Sequence, residues 1–216
     1  MEYTIKAICS GKIETLNYYG KSMKSAMNKR PLEKTTWLSK VGFEDDEQEY
    51  HGHGGPDQAI CLYSTQNYTL WEDVISPIPD YAFFGENITV DGIDETELLF
   101  GNQYQLGEAI IEVSEIREPC YKLQQKYNYN GIMKRMMETG KSGCYFRVIQ
   151  EGDVHPDSHL KLIKTAPSST QLSVQELNDL YYNDQKNKDR LTYAIQNPFI
   201  TERRRKKLEK LLSRCS

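Results

Sequence analysis

Cys120 is the residue of this sequence whose surroundings best suit chemistry. It follows Pro119 directly and lies between two cations, Arg117 and Lys122. Nearby positive charge favours the thiolate, the form of cysteine that binds metals and attacks electrophiles. The sequence therefore predicts a metal ligand or a nucleophile at position 120.

A glycine-rich loop, His51-Gly-His-Gly-Gly-Pro-Asp57, contains a second set of reactive side chains. Two histidines two positions apart could bind a metal ion, but no third ligand stands at a spacing typical of zinc sites. Gly54 and Gly55 allow positive φ angles and a close approach of the backbone to a ligand. We expect this loop to bind an anionic ligand.

Further cations stand in two other segments of the sequence. Arg147 is a lone arginine in an apolar strand, and an arginine that faces a pocket holds phosphate with two parallel hydrogen bonds. Lys29 lies in residues 12–34, a polar segment whose composition favours a solvated loop. The acidic run at 44–49 could bind a hard cation through its carboxylate oxygens, but a solvated loop is the more frequent structure for such a run and is predicted here.

Composition narrows the class of protein. The five cysteines include no C-x-x-C pair, which favours free thiols over a disulfide framework or a four-cysteine zinc site, and Cys61 reads as a core residue. The formal net charge of −4 argues against general nucleic-acid binding. Mean hydropathy is −0.69, and no signal peptide or long apolar run is evident, so we expect a cytoplasmic protein.

The elements that position Cys120 are mainly strands. Residues 109–114 alternate, with Ile111 and Val113 predicted inward and Glu112 and Ser114 outward, as in a half-buried antiparallel strand. This strand delivers Cys120 at its end. Most of residues 1–165 consists of short strands with Gly and Pro turns, which indicates a mainly β, barrel-like architecture with a few helices.

Residues 166–216 differ from the rest in charge and pattern. They carry ten basic and six acidic residues, a net charge of +4 against −8 for residues 1–165. Ser173 begins a capping box, and further helices are predicted for 187–196 and from Thr201 onward. The basic run from Arg203 to Lys207 is predicted to be the solvent side of an amphipathic helix rather than a nucleic-acid patch. Three short helices bury little alone, so they should dock on the β part or on another subunit, as in a homodimer.

Four motifs in order resemble a known family, the MOSC domain of the YiiM type. They are His53-Gly-Gly-Pro-Asp57, Phe84-Gly-Glu-Asn87, Arg117-Glu-Pro-Cys-Tyr-Lys-Leu123 and Tyr145-Phe-Arg-Val148. The resemblance covers nearly the whole chain and implies a MOSC-type β-barrel core at 1–165, followed by a small three-helix domain, the three-alpha domain, at 166–216. Cys144 stands where the family pattern has tryptophan, which would bring a second thiol near the site.

The resemblance also implies a cofactor and a reaction. The cofactor is the molybdenum cofactor in its molybdopterin form, with Cys120 completing the metal coordination, as suits a soft thiolate. Related proteins reduce N-hydroxylated compounds, and YiiM-type proteins are associated with detoxifying N-hydroxylated nucleobase analogues such as 6-hydroxylaminopurine. His53 or Asp57 would relay protons. The residues expected to hold the cofactor or substrate are Cys120, Lys29, His53, Gly54, Gly55, Asn87, Arg117, Lys122 and Arg147.

An electron donor must be a separate protein. The chain has neither a dinucleotide-binding fingerprint nor an iron–sulfur cysteine set, so a flavoprotein reductase is implied. Two alternatives stay open. Cys120 could carry a persulfide in a sulfur carrier or sulfurtransferase. The chain could also be a binding module, for the cofactor or, through its basic tail, for nucleic acid.

Overall fold

The computed structural model describes residues 1–50 and 52–215. Within these ranges the strands are β1 Glu2–Tyr3, β2 Ile5–Ser10, β3 Glu14–Tyr18, β4 Lys21–Ser25, β5 Arg30–Pro31, β6 Thr36–Ser39, β7 Gly42–Phe43, β8 Ile60–Ser64, β9 Ile88–Val90, β10 Gln103–Leu106, β11 Ala109–Ile116, β12 Cys144–Gln150, β13 Gly152–Val154 and β14 Leu160–Lys164. The α-helices are α1 Lys122–Tyr127, α2 Ile132–Thr139, α3 Val174–Tyr182, α4 Lys188–Gln196 and α5 Glu202–Leu212. Short 3-10 helices cover Pro56–Gln58, Thr65–Trp71 and Ser168–Thr170.

The main sheet has nine strands in the order β1-β14-β10-β11-β12-β8-β9-β2-β5. Its neighbouring pairs are antiparallel except for β8 and β9, which are parallel. A three-stranded sheet, β13-β6-β7, and the hairpin β3-β4 complete the β part. The protein is therefore a mixed sheet with helices.

Residues 1–10 supply strands toward both ends of this sheet, β1 as its first strand and β2 as its last strand but one. β1 pairs with β14, while β2, separated from β1 by Thr4 alone, pairs with β9. Main-chain hydrogen bonds from Leu162 to Met1 (3.0 Å) and from Asp91 to Thr4 (2.9 Å) extend the two contacts. The sheet order itself records no closed ring of strands among the described residues, so the closed barrel stays a prediction.

β11 is more deeply buried than its alternating pattern predicts. Glu112 and Ser114, expected to face solvent, are both buried, because the second face of the strand is covered as well. The hydroxyl of Ser114 lies within hydrogen-bond distance of the main-chain oxygens of Asp57 (2.7 Å) and Tyr145 (3.1 Å) and donates its one hydrogen between them. The prediction of a half-buried strand was wrong, although its position and its direction toward Cys120 were right.

The segment at 12–34, predicted to be a solvated loop, contains a regular hairpin instead. β3 and β4 pair from Glu14 opposite Ser25 to Tyr18 opposite Lys21. The connecting residues Tyr19 and Gly20 have φ angles of 49° and 76°, as two-residue hairpin turns require. Few apolar side chains mark these strands, so the pattern of the sequence did not reveal them.

The three tail helices begin where the sequence predicts. Ser173 forms a full capping box with Glu176, and Asn187 and Thr201 cap the next two helices through their side chains. Leu177, Leu191 and Leu208 join the same hydrophobic cluster as the main sheet. Docking of the tail on the β part is thereby confirmed, while the division into domains at 165/166 stays a prediction.

The basic run of α5 is not uniformly solvent-facing. Arg204 is 1% exposed, and its Nε atom lies 2.8 Å from Glu115 while Nη2 lies 2.7 Å from Glu118. Its guanidinium also packs over the ring of Tyr181, 4.4 Å from the centroid. The prediction for this run was therefore wrong at Arg204, which attaches the tail to the end of β11.

None of the helices in the described part of the chain combines the length and the apolar character needed to cross a bilayer.

Candidate active site

Two adjoining cavities lie at the end of β11, and Cys120 lines both. The inner pocket, of about 100 Å³, is bounded chiefly by Lys29, Asp46, Cys61, Asn87, Arg117 and Cys120. The outer cleft, of about 720 Å³, is bounded chiefly by Lys24, Tyr50, His53, Cys120, Tyr121 and Arg203. The shared walls make the two cavities one candidate site, with the thiol at their junction.

Cys120 is carried by the turn that joins β11 to α1. The main-chain oxygen of Cys120 accepts from the amide of Leu123 at 3.1 Å, which sets the turn at the beginning of the helix. The thiol is free and half-buried. It is thus held on a defined backbone while one side stays open to the outer cleft.

Arg117 places a charged donor in the wall of the inner pocket. The residue is 7% exposed, and its Nη2 group donates to the main-chain oxygen of Phe84. Its buried Nη1 group has no hydrogen-bond partner among the described residues. An unpaired buried guanidinium N–H is costly, so this wall is suited to an anionic or oxygen-bearing ligand.

Lys29, Asp46 and Asn87 form a paired polar wall of the same pocket. Lys29 and Asp46 make an ion pair with side chains 8% and 2% exposed. Asn87 donates to Asp46 at 2.9 Å and accepts from the amide of Cys61 at 3.0 Å. The acidic run at 44–49, predicted to be a solvated loop, therefore turns Asp46 inward.

Glu86 of the Phe84-Gly-Glu-Asn87 motif closes its own turn. Its carboxylate accepts from the amides of Phe83 (3.0 Å) and Phe84 (2.9 Å) and from the hydroxyl of Thr89 (2.9 Å). The motif fixes the wall around Asn87, and of the turn it is Phe84, Gly85 and Asn87 that reach the pocket.

Lys122 lines both cavities and is already paired. Its ammonium group contacts the carboxylate of Glu49 and donates to the main-chain oxygen of Lys24 at 2.8 Å. The hydrogen bond from Lys122 lowers the pKa of Glu49. This pair links the acidic run to the turn that carries Cys120.

His53 lines both cavities, as the glycine-rich loop leads us to expect. Burial lowers the pKa of its imidazole, and the charges of Arg117 and Lys122 lower it further. The ring is therefore neutral at pH 7, with one nitrogen free to accept a proton. Gly54 and Gly55 have φ angles of 73° and 88°, which confirms the predicted need for glycine, and His51 lies outside the described residues.

Three predicted site residues, Gly55, Asp57 and Arg147, line neither the inner pocket nor the outer cleft. Gly55 and Asp57 border a separate cavity of about 180 Å³. Arg147 lies 3.0 Å from Asp57 and 3.4 Å from Glu112, and it donates to the main-chain oxygen of Phe199 at 3.1 Å. Asp57 and Arg147 are thus brought to each other rather than to Cys120.

The site also includes residues that the sequence did not single out. Cys61, predicted to be a core residue, lines the inner pocket, and burial raises its pKa to about 11, which keeps it a neutral thiol. Tyr145 lines both cavities. Cys144, its neighbour in β12, points instead into the main core and reaches neither cavity.

Glu118 and Arg203 connect the tail to the site. Glu118 lines both cavities. Burial opposes its ionisation, but Arg204 and Lys207 outweigh burial and lower its pKa. Arg203, from the first turn of α5, lines the outer cleft. A carboxylate two positions before Cys120 could have been noticed in the sequence, whereas the approach of α5 depends on how the tail packs.

Proteins of similar sequence match most of this chain. The chain is 35% identical over 201 residues to the Bacillus subtilis protein YflK, described as uncharacterized, which covers 93% of this chain and 90% of YflK. It is 35% identical over 177 residues to Escherichia coli protein YiiM, covering 79% and 76% of the two chains. It is 29% identical over 163 residues to a Gibberella moniliformis protein named reductase, covering 73% of this chain but 29% of that protein.

Among solved structures, that of YiiM from Geobacillus stearothermophilus superposes with a TM-score of 0.81 at 30% identity, over 97% of this chain and 99% of that one. Residues 49–161 match the MOSC domain, a stretch that includes the glycine-rich loop, β11 and Cys120. Because the MOSC domain match covers more than half of the chain and the relatives at 35% identity cover more than two thirds of it, the chain belongs to the MOSC domain family.

Proposed function

We propose that this protein binds the molybdenum cofactor at Cys120 and reduces N-hydroxylated compounds, including N-hydroxylated nucleobase analogues such as 6-hydroxylaminopurine. The observation that carries the proposal is the position of Cys120 at the junction of the two cavities, in a pocket that is also lined by Arg117 with its unpaired Nη1 group. Membership of the MOSC family and a relative named reductase support it.

The residues of the two cavities fit such a cofactor. Cys120 offers a soft thiolate to molybdenum. Arg117 has a free donor for an anionic group, whereas Lys29, in the same pocket, is already paired with Asp46. At about 720 Å³, the outer cleft is large enough to be shared by part of the cofactor and a substrate. When bound, the cofactor would supply the two electrons that break the N–O bond.

The reaction also needs protons. Reduction of R–NHOH to R–NH2 and water consumes two electrons and two protons. His53 is neutral at pH 7 and lines both cavities, so its imidazole can pass a proton from solvent in the cleft toward the departing oxygen. Glu118 stays ionised and serves to position the turn before Cys120. Asp57, bound to Arg147, is left out of this relay.

Electrons must reach the site from another protein. We propose a separate flavoprotein reductase as donor. The fungal relative named reductase is much longer than the matched region, which covers 29% of it. The open outer cleft gives such a donor an approach to the Cys120 side of the site.

Replacement of Cys120 by serine tests the proposal. In a host that makes the cofactor, Cys120→Ser should lose bound molybdenum and N-hydroxyl reduction while its unfolding curve stays close to that of the parent. Cys215→Ser is the matched control, because Cys215 lies three residues beyond α5, lines neither cavity, and hydrogen-bonds only to main-chain oxygens among the described residues. Full molybdenum content and reductase activity in Cys120→Ser would overturn the proposal.

Sulfur transfer is the second candidate, because Cys120 is a free, half-buried thiol open to a cleft. In that case intact-protein mass spectrometry of fresh protein would find one added sulfur atom on Cys120 and no molybdenum. Nucleic-acid binding by the basic tail is less well supported than either of these functions, because several of its cations are paired. Arg204 and Lys207 are paired with Glu118, and Lys206 lies near Glu202 at 3.7 Å.

The proposal extends to the closure of the sheet and to the division of the chain into domains. We propose that residues 1–10 complete the main sheet as a MOSC-type barrel, and that 166–216 is a three-helix domain attached through Arg204. The pairing of β1 and β2 toward opposite ends of the sheet supports the first part. The capped helices α3 to α5 support the second.

A further inference from the structure

The outer cleft has more positive charge than its own anions neutralise. Of its cations, Lys122 is paired with Glu49. Glu118, the other anion, is paired with Arg204 and Lys207, which lie outside the cleft. The charge of the remaining cations is therefore available to a ligand.

Arg203 and Lys24 are those remaining cations. Among the described residues, neither side chain makes an ion pair or a hydrogen bond, and both are exposed at the cleft. The chain as a whole carries a formal net charge of −4. The two cations are therefore a local feature, rather than part of a generally positive surface.

The same cleft presents exposed aromatic rings. Tyr121 is 64% exposed and Tyr50 is 49% exposed, and both line the cleft. Exposed tyrosine rings are favourable surfaces for stacking a flat heteroaromatic ring. At about 720 Å³ the cleft has room for such a ring together with a polar substituent.

We propose that the outer cleft selects a heteroaromatic ring joined to a phosphate group, so that the substrate is an N-hydroxylated nucleotide rather than the free base. Arg203 and Lys24 bind the phosphate, and Tyr121 and Tyr50 contact the ring. The identity of the reacting group rests on the proposed function; recognition of the phosphate rests on the cleft alone. α5 is thus a wall of the substrate site, and Arg203 is its specificity-determining residue.

A phosphate at this place could come from the substrate or from the pterin cofactor. The two sources predict different effects of replacing Arg203. If Arg203 binds the substrate, Arg203→Ala weakens nucleotide binding and leaves molybdenum and pterin content unchanged. If it binds the cofactor, molybdenum and pterin content falls while nucleotide binding is unaffected.

Calorimetric titration of the purified full chain tests this with adenosine monophosphate and adenosine. Both contain adenine, the product expected from 6-hydroxylaminopurine. We expect the monophosphate to bind roughly tenfold more tightly than adenosine, since the phosphate contacts are charge-assisted but partly screened by water. Arg203→Ala should remove that advantage without changing the affinity for adenosine, and Arg203→Lys should restore part of it.

Arg214→Ala is the matched control, an exposed arginine of the same tail that lines neither cavity. Raising the salt concentration should weaken monophosphate binding in the parent but not adenosine binding. Equal affinities for the two ligands, or loss of molybdenum with unchanged nucleotide binding in Arg203→Ala, would overturn the inference. Phosphate-dependent binding by a protein that reduces no N-hydroxylated compound would instead count against the proposed reaction alone.

Discussion

The inner pocket and the outer cleft share Cys120 but treat their polar groups differently. In the inner pocket, Lys29 and Asn87 are both bound to Asp46, and the buried Nη1 group of Arg117 has no hydrogen-bond partner in the described part of the chain. In the outer cleft, two exposed cations have no bonded partner among the described residues. A fixed wall suits a resident group that must be held in one geometry, whereas open charge suits ligands that come and go.

Neighbouring residues of α5 show the same contrast. Arg204 is buried between Glu115, Glu118 and Tyr181, whereas Arg203, one position earlier, is exposed at the cleft. The sequence of two identical side chains does not distinguish these roles. Arg204 should contribute to the stability of the fold and Arg203 to ligand binding, so substituting each residue in turn should separate the two effects.

The largest expected effect follows from removing Arg204. Arg204→Ala leaves Glu115 buried without its cation, so we expect a loss of about 3–5 kcal/mol in the free energy of unfolding. Urea denaturation measures it. Lys206→Ala, on the exposed side of the same helix, should change stability by less than about 0.5 kcal/mol. Equal small effects of both substitutions would show that the tail does not depend on the buried pair.

A smaller effect is expected in the inner pocket. Asp46→Asn replaces a carboxylate that accepts from Lys29, from Asn87 and from the amide of Gly11 (2.8 Å). Since the buried ammonium group loses its counter-charge, we expect about 1–3 kcal/mol of destabilisation in urea unfolding. Asp45→Asn is the matched control, because Asp45 is 53% exposed and its pair with Lys12 is long, at 3.5 Å. Comparable losses in the two variants would contradict a fixed inner wall.

His53, which lines both cavities, should make the free energy of unfolding depend on pH. Its pKa in the folded protein is lower than the ordinary 6.5, so the unfolded chain binds the proton more readily. Stability should therefore fall as pH drops from 7.5 through 6.5 and below. His53→Gln should flatten this slope in urea unfolding at pH 5.5 to 7.5. An unchanged slope would mean that His53 is not held in its neutral form; Glu49 and Glu118, with lowered pKa values, act only in more acidic solution.

The smallest expected effect belongs to Arg203. Because its side chain is exposed and makes no bond to a described residue, Arg203→Ala should alter the free energy of unfolding by less than about 0.5 kcal/mol. Thermal unfolding of Arg203→Ala beside Arg204→Ala checks this directly. A large loss in Arg203→Ala would place it with the structural residues and remove the distinction between the two neighbours.

The sequence predicted best where local chemistry decides the structure. Ser173, Asn187 and Thr201 mark the beginnings of the tail helices because a capping side chain acts within one turn. The position of Cys120 at the end of β11 followed from the apolar run that precedes it. His53 and Arg117, from two of the ordered motifs, both line the inner pocket.

The sequence predicted less where distant segments decide. The sequence places Asp46 in a solvated loop because the residues around it are acidic, whereas its ion pair with Lys29 depends on packing between separate segments. Arg147 was assigned to the pocket, yet Asp57 lies beside it. The burial of Arg204 depends on Glu115, far away in the chain. Contacts between residues far apart in the chain produce no periodic pattern, so a single sequence does not reveal them.

Residues 1–10, which supply strands toward both ends of the main sheet, also constrain the order of folding. β1 meets β14 only after residues up to 164 are available, so this contact spans most of the chain and should form slowly. Until then both β14 and β9 present unpaired edges, which are templates for association between chains. Deleting residues 1–10 would leave the edges of β14 and β9 unpaired in the folded protein. We expect aggregation, rather than loss of catalytic groups, to be the first consequence.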